Sequence, residues 1–304
     1  MTAGPSGRAR ELVAGGYDIH VHVAPDVIRR RIDDLALARR FREVGLAGFV
    51  LKSHYVPTAE RAAVVRAAEP GVDAVGAITL NGAVGGINPV AVEIAAREGA
   101  RVVWLPTVDS RNQRESRAAD PPGATPPMWA RLQEELRDRG IDSPVVEVVD
   151  GGRPRPELLR VFQVMAGHGL VLATGHLSAA EIRLVVPAAL AAGVPQVVVT
   201  HPEFTSQRLP VADQRELAAQ GALLERCFTT PHTGKVSWPA MIGTIRAVGV
   251  AHSVLASDLG QPFNPPVEDG LALLADRLLA AGFTDAEVRT MAVDNTRRVA
   301  LPSG

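Results

Sequence analysis

Cysteine and lysine are nearly missing from this chain of 304 residues. Cys227 is the one cysteine, which excludes an internal disulfide framework and makes a reducing cytoplasm the expected location. Lys52 and Lys235 are the only lysines among 32 basic residues. Arginine serves wherever any cation will do, so each lysine stands out. Aromatics are scarce as well, at 4%, so Ala, Val, Leu and Ile must build the core, and a hydrophobic content of 46% is ample for that. No apolar run approaches the roughly 20 residues that cross a bilayer. The opening MTAGPSGRAR lacks the apolar stretch of a secretory signal, so residues 1–16 are expected to form a loose arm. An excess of one charge is also absent. The formal net charge is −1, which offers no field to nucleic acid or an anionic membrane. The expected partner is a small molecule, and Ala-rich helices are compatible with a homo-oligomer.

What the chain does contain is a regular alternation. Val/Leu/Ile-rich runs occur at 17–23, 48–54, 74–80, 101–107, 169–176, 196–201, 222–228 and 252–258. Each is followed by a stretch of helical periodicity, and several are preceded by the Gly turn that ends a helix. Eight βα units in one chain of this length predict a single-domain α/β fold over 1–304, a (β/α)8 TIM barrel. A doubly wound open sheet is the runner-up, but no G-x-G-x-x-G follows a strand. The irregular region 106–155, dense in Pro and Gly, is expected to be an insertion after strand four that lies over the barrel mouth, with PVVEVVDGG adding an edge strand.

The C-terminal tips of barrel strands build the active site. Here the tips carry His20, His22, Lys52, His54, His176, His201, Glu225 and Asp258, with Asn81, Thr107 and Asp109 close to theirs. Five of the eight histidines fall on these tips. In YDIHVHV, strand alternation puts Asp18, His20 and His22 on one face. Neutral imidazoles with a carboxylate suit a divalent metal, zinc first, with manganese or iron possible. Such an ion acidifies water and polarises a carbonyl, and Asp258 is the candidate to move the proton.

DIHVH at strand one, TGH and VTH at strands five and six, SDLG at strand eight and the closing DNTRRVALP resemble the amidohydrolase superfamily of metal-dependent barrels. The resemblance runs over nearly the whole chain. It implies that His20, His22 and Asp258 hold one ion, and that His176 and His201 hold a second or touch the substrate. One departure stands out: ITLNG and WLPTVDS supply neither the lysine nor the glutamate that bridges two ions in many members. Lys52 is expected to replace it as a carbamate; otherwise its ammonium binds a substrate carboxylate.

His54 is open between the second ion and the substrate. Glu225 is open between ligand, histidine orienter and a satisfied interior group beside Arg226, the last preferred. His232 and Arg111, the latter with Arg114 and Arg117 in the insertion, are candidate substrate contacts, against a solvated-loop reading. His168 and His252 precede their strands and are expected to be structural. The function expected is hydrolysis of a C–N or C–O bond in an amide, lactam, imide, lactone or ester, with one or two ions per chain. A mononuclear decarboxylase using His20, His22, His176 and Asp258 is the enzyme alternative, and a non-catalytic metal-binding barrel is the other. A phosphoesterase barrel that also opens with H-x-H is disfavoured, because Leu259 and Gly260 follow Asp258 where a D-x-H pair is needed.

Overall fold

The computed structural model describes residues 4–118 and 126–301. Eight parallel strands form one sheet in chain order: β1 (Tyr17–Val21), β2 (Gly48–Leu51), β3 (Asp73–Thr79), β4 (Ala100–Trp104), β5 (Val171–Ala173), β6 (Gln196–Val199), β7 (Leu223–Cys227) and β8 (Ser253–Ala256). The sheet curls until its ends meet. Val21 bridges Leu259 in parallel, Asp258 N–H donates to the His20 carbonyl at 2.9 Å, and His22 N–H donates to the Leu259 carbonyl at 2.8 Å. The architecture is the expected (β/α)8 barrel.

Side-chain alternation divides the core into two layers. Val50, Val102, Trp104, Leu223 and Val254 fill the barrel interior. Their neighbours Phe49, Leu51, Val103 and Leu224 face the surrounding helices, with Phe41 and Phe162 among the helical residues that meet them. The helices begin where local chemistry satisfies their free amides. Asp33 caps the helix Asp34–Glu43, and Ser178 with Glu181 forms a capping box on Ala179–Ala191.

The structure departs from sequence expectation in several places. Residues 7–13 of the expected loose arm form a helix, Gly7–Val13, whose Ala9, Leu12 and Val13 are buried in the shell core. A short helix packed through three apolar residues needs no long periodic tract to announce it. The insertion gains a helix at Arg111–Ala118, ahead of the helix Met128–Asp138 that its amphipathic pattern carries. Its expected edge strand is instead a separate two-stranded antiparallel hairpin, Val149–Asp150 with Arg153–Pro154. The C-terminal tract 284–300 holds two short helices, Asp285–Arg289 and Asn295–Ala300, joined by a π-helical turn over Thr290–Asp294. Asn295 Nδ2 donates to the carbonyls of Val250 and Ser253, at 3.0 Å and 2.8 Å, tying this last helix to the start of β8.

Strict alternation also fails in β1. Its register against β2 shifts between Asp18 and Val21. Ile19 therefore lies in the interior cluster while Val21 joins the shell, and His20 and His22 turn inward above Ile19 instead of sharing one uninterrupted face with Asp18. No helix among the described residues is long and apolar enough to cross a membrane.

Candidate metal centre

The β1–β8 seam assembles the centre. The backbone bond from Asp258 to His20 brings the last strand's carboxylate against the first strand's imidazoles. Asp258 Oδ1 stands 3.2 Å from His20 Nε2 and 3.3 Å from His22 Nε2. Asp258 takes a left-handed backbone conformation, φ 53°, uncommon outside glycine but tolerated by aspartate. Two residues on, a Cβ at Gly260 would lie 1.6 Å from the His22 carbonyl oxygen, so the glycine of SDLG is a steric requirement. The glycine of TGH is required for the same reason: a Cβ at Gly175 would lie 2.3 Å from the Leu105 carbonyl oxygen.

Hydrogen bonds settle which nitrogen of His20 carries the proton. Nδ1 faces Glu225 Oε1 at 3.1 Å, and a carboxylate accepts only, so Nδ1 is the N–H. Nε2 then presents its lone pair. Lys52 Nζ lies 2.9 Å from that nitrogen, placed to donate an N–H to its lone pair. A lone pair and a carboxylate oxygen 3.2 Å apart repel unless a cation joins them. Tetrahedral ligands bound at about 2.0–2.1 Å stand about 3.3–3.4 Å apart, close to both Asp258 spacings. The donor set of His20, His22 and Asp258, all within 4.8 Å of one another, thus fits a divalent ion.

Electrostatics agree. Burial alone would raise the Asp258 carboxyl, but the adjacent His20 and His22 imidazoles and Lys52 outweigh it and hold the group well below the usual carboxylate range. Glu225 is lowered in the same way, against burial, by His20, His201 and Lys52. Burial lowers Lys52 despite the opposing pull of Asp258 and Glu225. Burial also keeps His22, His54 and His176 well below the normal imidazole value and pushes His201 down to about 4, so these four rings are neutral.

His176 and His201 form a second group, with ring centroids 5.1 Å apart. The Nδ1 atoms of both are buried without a hydrogen-bond partner among the described residues. His201 also stacks at 6.1 Å on His20, and its N–H donates to Glu225 Oε2 at 3.2 Å. His54 belongs to a different network. Asn81 Oδ1 accepts the N–H groups of Thr107 and Asp109, which fixes its amide, and Nδ2 donates to Thr107 Oγ1 at 2.7 Å. The Thr107 hydroxyl proton then goes to His54 Nδ1, 2.8 Å away, leaving His54 with Nε2–H as a donor.

The model of a family of unknown function, DUF6282, matches residues 15–225. The chain belongs to that family. No curated protein matches it. Among solved structures, it resembles an amidohydrolase from Pseudomonas aeruginosa (12% identity, TM-score 0.60, covering 97% of this chain and 98% of the other). It also resembles the probable dipeptidase PvdM from the same organism (13%, 0.61, 97% of each chain). An amidohydrolase from Burkholderia multivorans with bound zinc superposes at TM-score 0.58 (13%, covering 95% and 100%). At these identities the likeness is one of fold.

In this DUF6282 chain, the centre opens into a cavity of about 720 Å³ that contains His22, Lys52, His54, His176, His201 and Asp258. Two candidates from the sequence lie elsewhere. His232 is exposed and stacks on Phe228 with centroids 4.8 Å apart, away from the cavity lining. Arg111 pairs with Glu147 and Glu115 outside the cavity. Its neighbours Arg114 and Arg117 pair with Asp109 and Glu134, so these arginines pin the insertion to itself. Arg226 does not pair with Glu225: adjacent strand residues face opposite sides, and Arg226 meets Glu203 and Gln214 in the outer layer. Glu225 is free to orient His20 as a result.

Sequence reading missed several contributors. Thr229 Oγ1 donates to Asp258 Oδ2 at 3.1 Å, and Cys227 Sγ lies 3.9 Å from His20 Nδ1. Arg30, Trp129 and Phe204 line the cavity. Arg30 was findable, because it sits in the loop directly after HVH and such loops form the barrel mouth.

Proposed function

We propose that this DUF6282 protein is a divalent-metal-dependent hydrolase that cleaves a C–N or C–O bond of a small amide, lactam, imide, lactone or ester. His20, His22 and Asp258 would hold one ion, zinc being the best match to the donors, ahead of manganese or iron. The observation that carries the reading is the position of Asp258 Oδ1 between two imidazole Nε2 atoms, one of them deprotonated by its neighbours' hydrogen bonds. The barrel shared with amidohydrolases, one holding zinc, supports it. When bound, the ion supplies Lewis acidity toward a carbonyl oxygen and toward water.

The side chains do the rest. Asp258, kept ionised, takes a proton from the attacking water and returns it to the leaving nitrogen or oxygen. Thr229 holds its second oxygen and so fixes the carboxylate plane. His54 offers Nε2–H to a substrate oxygen, while His176 and His201 would hold a second ion or contact the substrate. Lys52 is suited to bridge as a carbamate. Burial favours its free amine, whose nitrogen bonds the carbon of carbon dioxide and releases a proton. A small-molecule substrate, no nucleic-acid or membrane partner, a possible homo-oligomer and a cytoplasmic setting complete the reading.

Elemental mass spectrometry on protein purified without chelator and with bicarbonate tests it. Two divalent ions per chain support the Lys52-bridged form; one supports a mononuclear hydrolase or a decarboxylase on His20, His22, His176 and Asp258. No metal after reconstitution refutes the reading and leaves a non-catalytic barrel.

A further inference from the structure

Resting on the reading that this cavity takes the substrate, we propose that the substrate carries a carboxylate and that Arg30 anchors it beside His22. Across the whole chain basic and acidic residues balance, 32 against 33. The cavity lining breaks that balance, with five lysine or arginine side chains against one carboxylate, Asp258. Both lysines of a chain that otherwise uses arginine are among the five. With Lys52 as the free amine, four cations still face Asp258 before any metal adds its own charge.

Arg30 is the element built for recognition. Its side chain is 5% exposed, and Nε is held at 2.7 Å by Asp26, whose side chain is 2% exposed. Asp26 itself is fixed by the N–H of Ile28 at 3.2 Å and does not line the cavity. The carboxylate therefore sits behind the guanidinium and locks its rotamer, and only one of five donors is spent on it. Nη2 lies 3.4 Å from His22 Nδ1, too long for a strong bond, and nothing among the described residues accepts from Nη1. The two terminal nitrogens form the fork that matches a carboxylate in a bidentate pair.

Placement gives the substrate's outline. Arg30 stands on the Nδ1 side of His22, and Asp258 stands on the Nε2 side. The anchored carboxylate and the reacting carbonyl are thus about one imidazole apart, a few bonds in a small molecule. At the rim, Phe204 lies 5.0 Å from the His201 ring and Lys235 Nζ lies 6.0 Å from the Phe204 ring, a flat wall with a second cation at its outer end.

The test is binding of matched acid and amide probes to metal-free protein, so that it reads neither metal nor turnover: 4-nitrobenzoate against 4-nitrobenzamide, and glutarate against glutaramide, by calorimetry. Wild type should bind the acids at least about tenfold more tightly than the amides. Arg30→Gln should erase the preference to within about twofold with amide binding unchanged, Arg30→Lys should recover part of it, and exposed Lys235→Gln should cost about two- to fivefold. Should Arg30→Gln leave buried Asp26 unpaired and fail to fold, the double variant Asp26→Asn/Arg30→Gln replaces it. Equal binding of acid and amide by wild type, binding of neither, or a preference that survives loss of Arg30 overturns the proposal. Loss of the metal reading alone would leave these affinities unchanged, so the two failures are distinguishable.

Discussion

Replacing Glu225 with glutamine changes one atom's chemistry and tests the tautomer argument on which the metal centre depends. The carboxylate accepts from two donors at once, His20 Nδ1–H at 3.1 Å and His201 N–H at 3.2 Å. A glutamine has one acceptor oxygen and one NH2, so in either flip one donor faces another donor. If the oxygen faces His20, the His201 amide is orphaned in a fully buried site, at a cost of about 1–3 kcal/mol in stability. If the NH2 faces His20, the imidazole must move its proton to Nε2 and lose the lone pair that the ion needs. Even the milder flip removes the negative charge beside the His20 Nδ1–H. Loss of such an outer partner lowers metal affinity about 10–100-fold, or roughly 1.4–2.7 kcal/mol. Chelator competition for zinc at pH 7.5, with urea unfolding of the metal-free protein, reads both effects. Zinc affinity within twofold of wild type, with unchanged stability, would refute the assignment.

Asp258→Asn should fold normally, since asparagine tolerates the left-handed backbone at this position, yet lower turnover by about 10²–10⁴; retained turnover would remove Asp258 from the chemistry. Lys52→Arg keeps a cation but cannot form a carbamate, so it should lose the second metal equivalent, and unchanged two-ion occupancy would end the bridging role. Acid should destabilise the metal-free protein. His22, His54, His176 and His201 have folded pKa values below the normal imidazole value, so the unfolded chain binds more protons as pH falls from about 6.5 toward 4, and stability drops in that window. Each histidine contributes a slope of up to about 1.4 kcal/mol per pH unit. Asp18, pushed up to about 7 by burial, acts in the opposite direction with a single proton. A urea midpoint at pH 5 equal to that at pH 7 would contradict the buried neutral rings.

Much of the barrel was legible because its signals are local. A short β-branched run, a Gly turn and an amphipathic stretch each depend on neighbours in the chain, and their repetition implied strand order and closure. The tip histidines were legible for the same reason: once a run is read as a barrel strand, its end is at the mouth. The helix Gly7–Val13 escaped because its stability comes from burial against the last helices and not from its own seven residues. The pairing of Glu225 was misjudged because adjacency in sequence suggested Arg226, whereas the strand sends these two side chains to opposite layers.

Sequence alone determined which residue types could meet at the mouth of the barrel: imidazoles at the ends of strands one, two, five and six, a carboxylate at the end of strand eight, and one lysine where an arginine would have met any need for charge alone. Their protonation and direction were decided only in the folded chain. Glu225 sets the proton of His20 across more than two hundred residues, Thr107 and Asn81 set that of His54, and Asp26 turns Arg30 toward the cavity. A hydrogen bond needs a partner within about 3 Å at a defined angle, and only closure of the β1–β8 seam brings distant segments to that distance.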